Sequence, residues 1–379
     1  MPKSVYIHIP FCEHICPYCD FNKVVLKGQP VLDYLHALRK EMEITFEREP
    51  AVDIQTIYVG GGTPTALDTK QMRFFLDSVR SVVQPQTDEV EFSMEVNPGT
   101  VDEEKLRVMK EGGVNRLSFG VQSFDDQLLK RIGRIHDARD VYRSLALARR
   151  AGFENISIDL MFGLPEQTLP SLSRTVDAAL ELELPHLSAY SLLVEEGTPF
   201  HRLYQKGKLP LPSEEEEYEM YELVIHKMLD QGYSHYEISN FAKPGFESRH
   251  NLTYWRNEEY YGFGAGAHGY VRGVRYENAA SLREYIDLVN KEGHASVHRH
   301  VVSEKEAMEE TMMMGLRLKE GVSREVFRQR FGLALEDVYA RELEMLFNKG
   351  LLQEKGGRYA LTSKGVFLGN EVFVMFMQS

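Results

Sequence analysis

Three cysteines lie close together near the start of the chain, and the sequence contains no others. An odd number of cysteines in one short segment is poor material for disulfide bonds. Thiolates separated by three and then two residues can reach one metal centre without a long detour of the backbone. Cys12, Cys16 and Cys19 therefore predict a metal site without a fourth cysteine. A structural zinc ion completed by His8 or His14 is one form of such a site.

Further polar and glycine-rich groups stand at the ends of successive predicted strands. They are Gly60–Pro64 after the second strand, Glu95–Pro98 at the end of the third, Gln122–Ser123 after the fourth and Asp159 near the end of the fifth. The cysteine segment itself follows the first strand. The carboxyl ends of parallel strands converge on one face, so we expect all five groups to meet in one pocket. The glycine run would let the backbone approach a ligand closely.

The elements that must position these residues alternate between strand and helix. Predicted strands are Ser4–His8, Ile54–Gly60, Val90–Glu95, Arg116–Gly120, Asn155–Leu160 and His186–Ser191. Predicted helices are Val31–Phe46, Lys70–Val82, Glu103–Glu111, Ala138–Arg150 and Leu169–Leu180. Repeated β-then-α units predict an α/β fold with a parallel sheet. Curling of six strands gives a partial (β/α)6 barrel, and a flat, doubly wound sheet is the alternative.

The rest of the chain divides into two further parts. We expect the barrel in residues 1–210, an extension of it in 211–300, and a small, mainly helical, winged-helix-like C-terminal domain in 301–379. The predicted C-terminal elements are helices Glu304–Leu318, Arg324–Arg330 and Leu335–Asn348, a hairpin Leu352–Leu361 and a packed strand Val372–Met377. Ser213 is the predicted N-cap of a helix that opens with Glu214–Glu217.

Composition restricts the classes of partner. The chain has 379 residues, with 44 Lys and Arg against 57 Asp and Glu, so its formal net charge is −13. This balance disfavours a nucleic-acid binder, which would carry a basic face. No apolar run approaches the roughly 20 residues that cross a bilayer, and the N-terminus lacks a secretory apolar stretch. We therefore expect a cytoplasmic protein with no transmembrane segment and no nucleic-acid partner.

The cysteine spacing, together with the strand-end groups, resembles that of the radical S-adenosylmethionine (SAM) proteins. In that family three thiolates bind three irons of a [4Fe-4S] cluster, and SAM chelates the fourth iron. An electron from the cluster then cleaves SAM to a 5′-deoxyadenosyl radical. The resemblance therefore implies both cofactors, with Cys12, Cys16 and Cys19 as the cluster ligands, and a radical-SAM partial barrel.

A narrower resemblance, covering nearly the whole chain, is to the coproporphyrinogen III dehydrogenase branch of that family. It rests on Tyr6–Cys12, residues 60–65, Glu95–Pro98, Gly120–Ser123 and Asp159–Pro165. The resemblance implies that SAM is contacted by Tyr6, Gly62, Thr63, Glu95, Gln122, Arg134, Asp159, Leu193 and Ala267.

Two departures separate the chain from the dehydrogenase itself. That enzyme has a further cysteine two residues after its third, where this chain has Phe21, and it has a longer segment before the cluster loop. His250-Asn251-x-x-Tyr254-Trp255 is instead similar to a motif of a sister group, the haem chaperones. The resemblance implies haem contact by His250, Tyr254 and Trp255, with His268 as a second candidate. A hydrogen-bonded structural histidine is the alternative for His250.

The leading functional expectation is thus a haem chaperone on a radical-SAM scaffold. It would bind heme and deliver it to apo-haemoproteins, among them membrane-associated respiratory enzymes, while holding the cluster and exchangeable SAM. The alternative is an oxygen-independent coproporphyrinogen III dehydrogenase, which decarboxylates propionate side chains in haem biosynthesis. A third is a radical-SAM enzyme that acts on another tetrapyrrole.

Overall fold

The computed structural model describes residues 1–49, 53–84 and 89–377. The predicted domains 1–210 and 301–379 include residues 50–52, 85–88 and 378–379, which lie outside that range. The strands are β1 Ser4–Ile9, β2 Phe11–Cys12, β3 Val24–Val25, β4 Thr56–Gly61, β5 Glu91–Val96, β6 Arg116–Gln122, β7 Asn155–Phe162, β8 His186–Ser191, β9 Ser234–Glu237, β10 Asn240–Ala242, β11 Tyr260–Phe263, β12 His268–Val271, β13 Val274–Asn278, β14 Ser296–Val301, β15 Val322–Ser323, β16 Leu352–Lys355 and β17 Arg358–Leu361.

The helices include every helix predicted for the barrel. They are α1 Val31–Arg48, α2 Thr69–Val83, α3 Glu103–Glu111, α4 Asp126–Arg131, α5 Ala138–Arg150, α6 Leu169–Leu180, α7 Pro199–Gln205, α8 Glu214–Asp230, α9 Arg249–Trp255, α10 Leu282–Glu292, α11 Glu304–Gly315, α12 Arg324–Phe331, α13 Leu335–Val338, α14 Ala340–Asn348, α15 Ser363–Phe367 and α16 Gly369–Phe376, with a short 3₁₀ turn at Pro64–Ala66. No helix in the described ranges is both long enough and apolar enough to cross a bilayer.

The main sheet confirms the predicted α/β partial barrel. Its strand order is β14-β13-β12-β11-β1-β4-β5-β6-β7-β8-β10-β9, and the strands from β11 to β8 are mutually parallel. From β1 to β8 the parallel strands follow chain order without reversal. A doubly wound sheet reverses direction at a switch point, so that alternative is wrong. β11 is a further parallel strand, which the sequence analysis left within an irregular region.

The parallel strands have one polar and one apolar face. In β6 the outward residues Leu117, Phe119 and Val121 are completely buried against the helices. The alternate residues, among them Arg116 and Ser118, point into the barrel. Side chains of a strand alternate between its two faces, so one short sequence builds both the core and the wall of the lumen.

Helix ends fall where local side-chain chemistry fixes them. Ser213 caps α8 as predicted, because its hydroxyl accepts from the Glu216 amide at 3.2 Å and Glu216 accepts from the Ser213 amide at 2.8 Å. Capping boxes of the same kind begin α2 at Asp68 and α5 at Asp137. Each cap supplies acceptors for amides that have no partner within the helix.

One buried carboxylate ties α1 to the turn after β11. Glu41 accepts from the Gly264 amide at 3.0 Å, from Asn278 Nδ2 at 2.7 Å and from the Tyr285 hydroxyl at 2.6 Å. Gly264 has φ +100°, and a Cβ there would lie 2.6 Å from the His8 carbonyl oxygen, so only glycine fits. Burial raises the pKa of Glu41 to about 7, although its three donors oppose that rise.

The C-terminal part has helices α11 to α14 and a small antiparallel sheet in the order β15-β17-β16, as expected for a winged-helix-like fold. Two expectations are wrong in detail. The predicted helix Leu335–Asn348 is interrupted at Tyr339, which lies between α13 and α14. The predicted terminal strand is helix α16, which packs Val372, Phe373 and Phe376 into one apolar cluster.

The C-terminal part packs directly on the barrel extension. The Arg317 guanidinium lies over the Trp255 ring, 4.6 Å from its centroid, and also faces Phe373 at 5.6 Å. Main-chain hydrogen bonds from Ile238 to the Arg317 carbonyl, at 3.0 Å, and from Lys319 to the Tyr236 carbonyl, at 2.9 Å, join the same surfaces. The sole tryptophan thus lies at the junction of the two parts.

Candidate functional site

A cavity of about 460 Å³ occupies the lumen of the barrel. Its wall comes from the cysteine segment, from the inner faces of β4 to β8, and from the chain that follows β8. This volume lies within the range of small-molecule and cofactor sites. The predicted pocket is therefore present, and it extends from the strand ends down into the barrel.

All three cysteines line this cavity. Thr63 Oγ1 lies 3.6 Å from the Cys12 sulfur, and Arg134 Nη1 lies 3.6 Å from the Cys16 sulfur. Asn97 joins these two contacts, because its amide donates to Thr63 Oγ1 at 2.8 Å and its oxygen accepts from Arg134 Nη2 at 2.8 Å. Thr63, Asn97 and Arg134 thus form one hydrogen-bonded chain that connects the Cys12 thiol with the Cys16 thiol.

The zinc alternative conflicts with the arrangement of the first strand. Both ring nitrogens of His8 are engaged, Nδ1 with the Tyr6 hydroxyl at 3.0 Å and Nε2 with the Asn22 carbonyl at 2.7 Å. Within the described residues, no three His, Cys, Asp or Glu side chains are gathered closely enough to hold one metal ion. A zinc ion binds its thiolate ligands at about 2.3 Å and therefore needs such a gathering.

The glycine run packs backbone against backbone on the cysteine segment. The Gly62 amide donates to the Ile9 carbonyl at 2.9 Å, and the Thr63 amide donates to the Phe11 carbonyl at 2.7 Å. A Cβ at Gly62 would lie 2.8 Å from the Phe11 carbonyl oxygen. The absence of a side chain at Gly62 therefore lets the two strand ends meet at the edge of the cavity.

Two carboxylates face the cavity from neighbouring parts of the sheet. Glu95 accepts from the Tyr58 hydroxyl at 2.9 Å and from the Gly61 amide at 3.1 Å. Asp159 accepts from Ser118 Oγ at 3.2 Å. Desolvation, followed by repulsion from Asp159, raises the pKa of Glu95 to about 7, and desolvation also raises the pKa of Asp159. The carboxyl groups of Glu95 and Asp159 therefore suit a ligand that brings a positive charge or hydrogen-bond donors into the cavity.

Two large apolar side chains lie at the mouth of the cavity. Phe21 and Leu193 line it with 61% and 66% of their surfaces exposed. Gln122 and Arg134 lie in the same wall, and Arg134 also donates to the Gly120 carbonyl at 2.6 Å. Gln122 has φ +68°, a left-handed conformation at the irregularity where β6 ends.

Two residues implied for SAM contact lie outside the lining. Tyr6 stands behind the wall, where its ring stacks on Tyr58 with centroids 6.3 Å apart. Ala267 is buried in the turn between β11 and β12. The other residues of the set share the one cavity, namely Gly62, Thr63, Glu95, Gln122, Arg134, Asp159 and Leu193.

The motif at 250–255 lies beneath the cavity rather than in it. His250 is completely buried, its Nδ1 lies 2.8 Å from Thr56 Oγ1, and its Nε2 lies 2.8 Å from the Tyr254 hydroxyl. Trp255 stacks on Arg317 at the junction described above. Asn251 is the member of the motif that lines the cavity.

The remaining histidine of the predicted set lies elsewhere. His268 is exposed, at the first position of β12, and is not part of the cavity lining. The described structure therefore separates the four residues implied for haem contact into a hydrogen-bonded pair, His250 and Tyr254, a junction residue and a surface residue.

Several lining residues escaped the sequence analysis, namely Tyr58, Arg116, His186, Ser188, Tyr190 and Asn240. Most of them could have been found from the alternation of polar and apolar residues along their strands. In β6 the residues Arg116, Ser118 and Gln122 alternate with apolar ones, and in β8 His186, Ser188 and Tyr190 do the same. A buried parallel strand usually reads as an apolar run, so this alternation indicates a polar lumen.

Comparisons with known proteins agree with this geometry. The profile of the radical SAM superfamily matches residues 6–179, and that of the HemN C-terminal domain matches residues 302–368. The heme chaperone HemW of Bacillus subtilis is 51% identical over 375 residues, which cover 99% of each chain. This chain belongs to the HemW family. Another member, from Lactococcus lactis, is 44% identical over 376 residues, covering 99% of this chain and 97% of its own.

The HemW-family fold also has a solved structural counterpart. The coproporphyrinogen III oxidase HemN of Escherichia coli, a radical SAM enzyme, matches with a TM-score of 0.84 and 25% identity. The match covers 99% of this chain and 90% of that one. The resemblance found in the sequence is thereby confirmed at the level of superfamily, branch and HemW family.

Proposed function

We propose that this chain is a haem chaperone, which binds haem and passes it to apo-haemoproteins. The observation that carries the proposal is 51% identity over nearly the full length of both chains to a heme chaperone HemW. Phe21 and Leu193 at the mouth support it, because a haem macrocycle is a flat apolar ligand.

The residues of the cavity fit a [4Fe-4S] cluster and SAM. Three thiols line one cavity without being gathered at a single point, and the glycine run leaves room for close backbone approach. We propose Cys12, Cys16 and Cys19 as ligands of three irons. When bound, the reduced cluster supplies the electron that cleaves SAM to a 5′-deoxyadenosyl radical.

The proposed SAM contacts fall into direct and indirect groups. Gly62, Thr63, Glu95, Gln122, Arg134, Asp159 and Leu193 line the cavity and would touch the cofactor. Tyr6 would act through Tyr58, on which it stacks, and Ala267 through the turn that holds it. Arg134 would also orient the cysteine segment, because Nη1 lies 3.6 Å from the Cys16 sulfur, and Asn97, outside the set, holds Arg134 and Thr63 in place.

Direct haem contact by residues 250–255, which we also propose, would require a change in the hydrogen bonds of His250. Ligation by His250 would require it to give up its hydrogen bonds to Thr56, which is buried, and to Tyr254, which is half-buried. The arrangement in the structure gives His250 a supporting role under the cavity floor. Haem held at the mouth would leave that support intact.

The acceptors we propose are apo-haemoproteins, including membrane-associated respiratory enzymes. A cytoplasmic location belongs to the same proposal, because thiols that hold an iron–sulfur cluster need a reducing compartment.

Haem titration of the anaerobically reconstituted chain, with and without an intact cluster, tests the proposal. We expect a stoichiometric Soret shift and, on addition of a haem-free cytochrome, transfer of the haem to it. The matched control is the Cys12→Ala, Cys16→Ala, Cys19→Ala variant, which lacks the cluster. Absence of a Soret shift in the wild-type chain would contradict the proposal.

A second candidate is an oxygen-independent coproporphyrinogen III dehydrogenase. The structural match to the Escherichia coli oxidase favours it. Phe21, exposed where the dehydrogenase has its further cysteine, stands against it. Incubation of the reconstituted chain with coproporphyrinogen III, SAM and a reductant separates the two, since only the enzyme yields protoporphyrinogen.

A further inference from the structure

Arg116 is a buried cation in the wall of the barrel cavity. It is the first residue of β6, and only 2% of its surface is exposed. Its side chain lines the cavity at the end of the strand opposite Gln122. Five residues separate the two, so their Cα atoms lie about 20 Å apart along the strand. The backbone of Arg116 therefore lies at the end of the barrel opposite the strand ends that carry the cysteines.

The guanidinium of Arg116 makes no hydrogen bond and no ion pair with the described residues. Its Nε is buried without a hydrogen-bond partner. Across residues 1–49, 53–84 and 89–377, no ion pair within 4 Å involves this guanidinium. Arg275, by contrast, is neutralised by an ion pair with Glu310 at 2.6 Å. A buried charge without a partner costs several kcal/mol, so a fold retains one where a ligand supplies the counter-charge.

The groups around Arg116 leave its guanidinium without a direct partner. Asp159 lines the same cavity and attracts Arg116 through space, but it accepts its hydrogen bonds from the hydroxyls of Ser118 and Ser188. His186 is held by Ser157 at 2.7 Å and by the Tyr236 hydroxyl at 2.8 Å. Burial and the Arg116 charge lower the pKa of His186, so this ring is neutral. The hydrogen-bonding face of Arg116 is therefore unused.

The other polar groups beside it have partners within the protein. Ser188 donates to Asp159, and the Asn240 amide donates to Glu237 and to the Tyr190 oxygen, the latter at 3.4 Å. His250, the other neighbouring imidazole, has both ring nitrogens engaged, and burial followed by the Arg116 charge lowers its pKa to about 3. Neither histidine contributes a charge of its own.

We propose that Arg116 binds a carboxylate of the ligand that enters the barrel lumen. The planar guanidinium matches a carboxylate through two parallel hydrogen bonds. Two sources have this chemistry, the propionate of a haem and the carboxylate of the SAM methionine. The position of Arg116 at the start of β6, at the end of the barrel opposite the cysteine segment, favours the propionate. That assignment rests on the proposed haem-binding function, whereas the carboxylate site itself does not.

The experiment compares haem with its dimethyl ester, in which both carboxylates are blocked. On the reconstituted wild-type chain we expect haem to bind at least tenfold more tightly than the ester. Equal affinity of the two in the wild-type chain would overturn the propionate assignment without any variant. No haem binding at all would overturn the proposed function, and the SAM measurement below would still test Arg116.

Arg116→Gln and Arg116→Lys extend the test. We expect Arg116→Gln to weaken haem about tenfold and to abolish the preference over the ester, with Arg116→Lys in between and the SAM affinity changed less than twofold. Arg283→Gln is the matched control, because Arg283 is an exposed arginine outside this cavity. It should bind haem like the wild type.

Two other outcomes decide the remaining cases. A tenfold loss of SAM affinity in Arg116→Gln, with an unchanged ratio of haem to ester, would support the carboxylate site and assign it to SAM. Unchanged affinities for both ligands, in a variant with wild-type melting temperature and cluster absorption, would overturn the proposal.

Discussion

The imidazole of His250 stacks on the ring of Tyr58, with centroids 5.2 Å apart and planes inclined by 25°. The Tyr58 hydroxyl in turn donates to Glu95 at the cavity wall. The peptide amides of Arg249 and His250 donate to the Glu91 carboxylate at 3.0 and 3.1 Å, which fixes the start of α9. The 250–255 motif thus supports a cavity residue from below.

His250→Ala should therefore destabilise the fold. Truncation leaves the Thr56 and Tyr254 hydroxyls without their partner and opens a void beneath Tyr58, which together cost about 2–5 kcal/mol. Urea unfolding measures the loss. His268→Ala, at an exposed site, is the control and should change the free energy of unfolding by less than about 0.5 kcal/mol. Equal stability of the two variants would contradict the supporting role.

Removal of any one cluster cysteine should abolish the [4Fe-4S] absorption. Cys12→Ala, Cys16→Ala and Cys19→Ala each remove one of the three thiols that line the cavity. Iron and sulfide content and the visible spectrum after anaerobic reconstitution measure the result. Retention of a complete cluster in any single variant would show that its thiol is not a ligand.

Glu41 should make stability depend on pH. Its pKa is raised from the ordinary 4.5 to about 7 in the folded chain, so the folded state holds the proton more tightly than the unfolded state does. The resulting stabilisation is fully present below about pH 4.5 and is lost as the pH rises through 7, a change of about 3 kcal/mol.

Glu41→Gln isolates this contribution, because glutamine keeps the shape of the side chain and does not titrate in this range. Urea unfolding of both chains between pH 5 and pH 8 should show the wild type losing stability relative to the variant as the pH rises. Parallel profiles would mean that Glu41 does not hold its proton in the folded chain.

Trp255 should report on the junction between barrel and C-terminal part. It is the only tryptophan, and its ring stacks on Arg317. Arg317→Ala should lower the urea midpoint of the fluorescence transition, because a cation–π contact of this kind contributes about 1 kcal/mol. An exposed arginine provides the control, and Arg283→Ala should leave the midpoint unchanged.

Much of the barrel could be predicted because its elements are long and regular. The ends of α3, α5 and α6 agree with the sequence to the residue. β11 escaped prediction because Tyr260–Phe263 is short and includes a glycine, and its place beside β1 depends on a contact across more than 250 residues. The terminal helix was mistaken for a strand because its apolar run is too short for periodicity to decide.

The candidate site was predictable where chemistry coincides with strand ends. The cysteines, the glycine run, Glu95 and Asp159 meet for that reason. Arg116 and His186 were not predicted as site residues, because each is the first residue of its strand. A charged or polar residue at that position is usually exposed, and the sequence alone does not show that it faces a lumen. His250 carried a motif, but no sequence pattern reveals that both of its ring nitrogens are engaged.

The separation of each strand into an outward apolar face and an inward polar face has an evolutionary consequence. Residues such as Leu117 and Phe119 hold the shell together, while Arg116 and Ser118, their immediate neighbours in sequence, determine what the lumen accepts. Mutation can then explore new ligands at one set of positions while the other set keeps the architecture.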